Sequence, residues 1–156
     1  MQLHVIAIGK TSAPHLQVGI DIYLQRLKHY ARVQWTELPD VVSKNLSADA
    51  VKKKEGEKIL QQLAQSDVLM LLDEKGKAYT SRAFADFLQR QMNTGIKTLC
   101  LVVGGAHGFS DEVYKRANGT ISFSSMTFSH EMIRLFLAEQ LYRAHTILKG
   151  EGYHHD

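Results

Sequence analysis

Short apolar runs rich in branched residues recur along the chain, "LHVIAI", "VQWTEL", "VLMLLD", "TLCLVV" and "TISFS", and longer segments with helical spacing separate them. Runs of this length predict strands, and the intervening 3.6-residue periodicity predicts helices. Leu16, Ile20, Tyr23, Leu24 and Leu27 fall on one face of a helix from Pro14 to Tyr30, with Pro14 suited to its first turn. The same pattern predicts helices from Ala48 to Ala64, from Ser81 to Met92, a short one from Ser110, and a last one from Ser129 to Lys149. That last helix places Ile133, Phe136, Leu137, Leu141, Ala144 and Leu148 on one side, with Glu131 near its positive end and Lys149 then Gly150 closing it. Met132, Leu135 and Tyr142 widen the apolar stripe, which suits either a deeply buried helix or a face covered by a second subunit.

Strands alternating with helices predict an α/β fold, a mostly parallel sheet with helices on both faces, built as one domain over residues 1–156. Ligands of such sheets sit beyond the C-terminal ends of the strands. Here those ends open into "GGAHGFS" after "TLCLVV" and into "SFSSMTFSHEM" at the fifth strand. Glycine, serine and threonine at the ends of buried strands let a ligand approach the backbone, so these turns are the expected binding site.

The totals narrow the function classes. A length of 156 residues is enough for a core without disulfides or metals, and 44% hydrophobic with 22% charged residues matches a soluble globular protein. No apolar run approaches the roughly 18 residues of a membrane span, and the opening "MQLHVIAIGK" does not read as a signal peptide. With one cysteine, Cys100, a cytoplasmic location is expected. The formal charge of +3 permits a polyanionic partner without requiring one; Lys52, Lys53 and Lys54, and Arg26, Lys28 and Arg32, read first as solvated helix faces.

Elimination goes further. Gly104, Gly105 and Gly108 do not have the G-x-G-x-x-G spacing of a dinucleotide fingerprint, and no G-K-[ST] follows to make a phosphate loop. No G-x-S-x-G elbow accompanies a triad, and Cys100, inside an apolar strand, reads as a small buried hydrophobe. The terminal "YHHD" lacks the partners of a metal site, so no metal is expected. What remains is a site of backbone and small side chains, suited to adenine, ribose hydroxyls and a cationic sulfur at least as well as to phosphate.

"LHVIAIGK", "KEGEKIL", "VVGGAHGF", "SFSSMTFSHEMIR", "AEQLYRA" and "GEGYHHD", in this order across essentially the whole chain, resemble the RlmH family of 23S ribosomal RNA pseudouridine methyltransferases, within the SPOUT superfamily. The resemblance implies S-adenosyl-L-methionine as methyl donor, a homodimer, and a C-terminal trefoil knot, although connections in folds are generally un-knotted. It implies that Leu72, Gly104 and the run Phe123, Ser124, Ser125, Met126, Thr127 and Phe128 surround the donor, where the strand-end rule also points. The substrate it implies is a pseudouridine of 23S ribosomal RNA, methylated at N3 in the assembled ribosome. For that side Arg143, Glu139, Tyr153 and His154 are the candidates: Arg143 to hold a phosphate or base carbonyl, Tyr153 to stack or hydrogen-bond, and His154 to accept the N3 proton. Glu139 and Arg143, four apart, share a helix face and can pair. The family pattern has proline where this chain has Ser129, whose hydroxyl can cap the last helix instead, and another basic residue where it has His155. A SPOUT methyltransferase with another target, a non-catalytic ribosome-binding dimer and a small-molecule α/β enzyme remain as alternatives.

Overall fold

The computed structural model describes residues 1–155. Five strands, β1 (Gln2–Ile8), β2 (Arg32–Leu38), β3 (Val68–Ala78), β4 (Thr98–Val103) and β5 (Gly119–Ser122), form one sheet in the order β2-β1-β4-β3-β5. Every pairing is parallel. The connecting helices are α1 (Pro14–Leu27), α2 (Ala48–Gln61), α3 (Ser81–Asn93) and α4 (Asp111–Arg116), and α5 (Met132–Leu148) follows β5.

Helices cover both faces, which explains why the strands read as unbroken apolar runs. Leu3, Val5, Leu99 and Leu101 point to one side and pack with Leu27 of α1, Phe84 and Leu88 of α3, and Leu137 and Leu141 of α5. Ile6, Ile8, Cys100 and Val102 point to the other, against Ile59 of α2 and Val113 of α4. Cutting Leu101 back to alanine in such a core costs about 3 kcal/mol. Burial pushes the Cys100 thiol up to about 12, so it stays protonated and unreactive.

Side-chain oxygens start the middle helices. Ser47, Thr80 and Ser110 accept from the N–H groups of Ala50, Ala83 and Val113, each satisfying a donor that the helix leaves open. Ser129 Oγ accepts from Met132 N at 3.1 Å, but Ser129 stands two residues before the N-cap, Glu131, and residues 130–131 form a turn before the helix proper begins. At the far end Gly150 has φ 68, its N–H bonds to the Ile147 carbonyl at 3.0 Å, and Glu151 N–H reaches the Thr146 carbonyl at 2.9 Å. This left-handed glycine cap turns the tail back along α5.

Two expectations are corrected. β3 does not end at Asp73: it leaves the sheet after Leu72 and returns at Lys77, both residues pairing with Ile121 of β5. Gly76 makes the excursion possible, because a Cβ there would lie 2.7 Å from the backbone N and C of Ile121. Phe136 is not a core residue but stands 39% exposed, while Arg134 is wholly buried, its Nη2 on the Ile8 carbonyl at 2.6 Å and its Nη1 on Thr11 Oγ1 at 3.0 Å. Nη1 also faces Glu37 at 3.5 Å. Glu131 stands at the N-cap of α5, as expected, and its carboxylate also accepts from Ser12 N, Ala13 N and Ser12 Oγ, capping the start of α1. These hydrogen bonds hold its carboxyl down at about 2.

Candidate functional site

The register brings three strand ends together: Leu72 lies beside Val103 on one side and Ile121 on the other. The chain leaves the sheet at each of these points, in the β3 excursion at 73–76 and in the loops at 104–108 and 123–130. These segments enclose a cavity of about 560 Å³ with a floor of Leu72, Val103, Ile121, Phe109 and Ile133. That volume accommodates a nucleoside-sized ligand.

Seven of the eight residues expected around the donor line this cavity: Leu72, Gly104, Phe123, Ser124, Met126, Thr127 and Phe128; Ser125 does not. Local hydrogen bonds shape the serine turn, with Ser122 Oγ donating to the Ser124 carbonyl at 2.9 Å and Met126 N–H donating to Ser124 Oγ at 2.9 Å. Gly104 carries no Cβ because the Phe109 ring would lie 3.1 Å from it.

Sequence reasoning missed the rim. Asp73, Glu74 and Tyr114 line the cavity, with Tyr114 hydrogen-bonded to Asp73 and Thr127 Oγ1 donating to Glu74 at 2.7 Å. Burial, then the Asp73 contact, raises the Tyr114 hydroxyl to about 12, so at neutral pH it is a donor. Asp73 was within reach of the strand-end rule, being the residue after Leu72. Tyr114, on a one-and-a-half-turn helix, gave no sequence signal.

The four residues expected on the substrate side form a second group. Glu139 Oε1 accepts from Arg143 Nη2 at 2.6 Å, Arg143 Nε at 3.0 Å and the Tyr153 hydroxyl at 3.0 Å. The Arg143 guanidinium lies 4.7 Å over the Tyr153 ring, which also packs edge-on against Tyr142 at 4.8 Å. Arg143 Nη1 approaches His154 Nδ1 at 3.3 Å. A guanidinium only donates, so Nδ1 is the acceptor and a neutral His154 carries its proton on Nε2. Burial and hydrogen bonds to Tyr23 and Glu139 raise the Tyr153 hydroxyl well above its usual range.

None of the four lines the cavity. Ile133 does, and Arg143 stands ten residues further along the same helix, about 15 Å at 1.5 Å per residue. Within one chain the two groups are therefore separate. Among the described residues no group of three or more His, Cys, Asp or Glu side chains is placed to hold a metal ion, and no helix is long and apolar enough to cross a membrane.

Comparison with known proteins gives a family model described as "Predicted SPOUT methyltransferase", which matches residues 1–154. The chain is similar to proteins named ribosomal RNA large subunit methyltransferase H. It is 54% identical to that of Flavobacterium psychrophilum and 51% identical to that of Christiangramia forsetii, each over 156 residues covering 99% of both chains. With that of Cytophaga hutchinsonii the identity is 50% over 155 residues, 99% of this chain and all of the other.

Proposed function

The chain belongs to the SPOUT methyltransferase family, and from that premise we propose that it methylates large-subunit ribosomal RNA, transferring the methyl group of S-adenosylmethionine to N3 of a pseudouridine in the assembled ribosome. The observation that carries this reading is the side-chain-poor cavity at the ends of β3, β4 and β5, in a chain about half identical to ribosomal RNA methyltransferases along its whole length.

The lining fits such a donor. Gly104 and the serine turn offer backbone N–H and C=O groups to adenine and ribose, and Leu72, Val103 and Ile121 give an apolar floor that excludes water. When bound, the donor supplies a methyl group on a positively charged sulfur. Asp73 and Glu74 put negative charge on the rim, favourable to that cation.

The Glu139–Arg143–Tyr153–His154 group serves the RNA. Pseudouridine N3 becomes nucleophilic when its proton leaves. Arg143 turns from His154 to a phosphate or carbonyl of the substrate, and Nδ1 of His154 takes the N3 proton. Tyr153 stays protonated, its O–H donated to Glu139, and stacks on or hydrogen-bonds the target base.

The active form is a homodimer in which this group faces the partner's cavity. Two observations support it: the separation of the two groups along α5, and the exposed Val18 and Ile22 of α1 together with Phe136 of α5. The knotted course of the C-terminal segment and a cytoplasmic location belong to the same reading.

The test is transfer of a radiolabelled methyl group to ribosomal particles from cells lacking the endogenous activity, with the modified base mapped. Label at N3 of one pseudouridine of the large-subunit RNA is expected. No label, or label on another base, overturns the proposal.

A further inference from the structure

Glu55 lies in the "KEGEKIL" stretch of α2, on the sheet face opposite α5, and is 4% exposed. Its Oε1 accepts from Val41 N at 3.1 Å. Among the described residues its Oε2 is buried without a hydrogen-bond partner. A buried carboxylate oxygen left unmatched is unfavourable, and nothing in the packing of α2 calls for one.

The neighbour of that oxygen is the glycine bend of the cavity. A Cβ on Gly105 would lie 2.6 Å from Glu55 Oε2, so the carboxylate occupies the space a side chain at 105 would need. Gly105 itself lines the cavity, and its carbonyl accepts from Gly108 N–H at 3.1 Å, closing a turn in which Gly108 has φ 78. Beside this contact α2 packs closely on the start of α4. At Gly56, the next residue, a Cβ would be 2.6 Å from Ser110 Oγ at the start of α4.

We propose that Glu55 is a positioning residue for the methyl-donor bend: Oε2 braces residues 104–108 from behind and accepts an N–H of that bend when the donor seats. The proposal rests on the donor cavity of the proposed function. It explains why glycine stands at 105 and why α2 buries a carboxylate where a methionine would fill the same space.

The test uses the full-length protein and four variants, Glu55→Gln, Glu55→Ala, Gly105→Ala and the double variant Glu55→Ala with Gly105→Ala. Calorimetric titration with S-adenosylmethionine should show each single variant binding on the order of tenfold more weakly, the scale expected when a bend shifts by a fraction of an ångström. With ribosomal particles as acceptor, the donor KM should rise by a similar factor while kcat changes less. The double variant should bind more tightly than Gly105→Ala alone, because truncating Glu55 removes the nearest obstacle to the new methyl and leaves Ile8 Cγ2, at 3.1 Å, as the nearest atom. Amide hydrogen exchange at residues 104–108 in the donor-free protein should accelerate in both Glu55 variants. That readout needs no donor, so if the wild-type protein fails to bind S-adenosylmethionine the proposed function falls while exchange still decides the role of Glu55. Unchanged exchange at 104–108 in Glu55→Gln, or a double variant binding no better than Gly105→Ala, overturns the inference. Should Glu55→Ala not fold, Glu55→Gln and Gly105→Ala decide it through exchange and affinity.

Discussion

The Tyr153 hydroxyl donates to Glu139 Oε1 at 3.0 Å, fastening the C-terminal tail to the helix it has just left. Because Glu139 also holds Arg143 and Arg143 contacts His154, one carboxylate organises the whole group. Tyr153→Phe and Glu139→Gln should each lower methyl transfer to ribosomal particles by about 10- to 100-fold. The dissociation constant of the donor, measured by calorimetry, should stay at its wild-type value. A matching fall in donor affinity would place this group at the donor and count against its role on the RNA side.

Gly76 tolerates no side chain. A Cβ there would meet backbone atoms of Ile121 and Thr120, which cannot rotate away as a side chain can. Gly76→Ala should destabilise the protein by about 3 kcal/mol in urea denaturation. Gly152→Ala, where nothing lies within 4 Å, is the control and should leave the midpoint nearly unchanged.

Glu131 makes stability depend on acid. Its carboxyl is held at about 2 rather than its ordinary 4.5, so the charged form is the one that the folded state favours. The contribution is complete above about 4.5 and is lost as the pH falls from there towards 2. Thermal unfolding should show the wild type more stable than Glu131→Gln at pH 6, with the gap narrowing between pH 4.5 and pH 2. A gap that does not change over this range would show that the carboxylate is not what holds α5 to the start of α1.

Asp73 should tell donor from product. A carboxylate on the cavity rim attracts a sulfonium and is indifferent to the neutral thioether left after transfer. Asp73→Asn should weaken S-adenosylmethionine binding by about 1 kcal/mol, roughly fivefold, and S-adenosylhomocysteine binding much less. Equal losses for the two compounds would mean that Asp73 acts through Tyr114 and the shape of the rim rather than through charge.

The strand–helix alternation was legible because the central strands β1 and β4 bury both faces and each helix one, so apolar runs and stripes differ in length and period. β4 runs over "TLCLVV" as expected, and α3 over Ser81–Asn93. Helix ends were overrun where polar residues prolong the pattern: α1 stops at Leu27, not Tyr30, and α2 at Gln61, not Ala64. The cavity was legible from its small residues and from the resemblance. Its acidic rim was not, because "DEKGK" carries no apolar pattern and the return of β3 depends on a backbone contact with a strand some 45 residues later. Arg134 was hidden for a related reason: a long cation on a helix reads as surface, and its burial becomes tolerable through the Ile8 carbonyl at the end of β1, the Thr11 hydroxyl beyond it and the Glu37 carboxylate of β2.

α5 begins at the cavity, clamped by Glu131 and Arg134, and ends in the Gly150 cap that aims the tail. It is thus a ruler as well as a core element. One residue inserted between Ile133 and Glu139 would advance the distal carboxylate by about 1.5 Å and swing it by about 100° around the helix axis. The rotation would take it off the helix face on which it meets Tyr153 and Arg143, so the length of this helix matters independently of which apolar residues fill it.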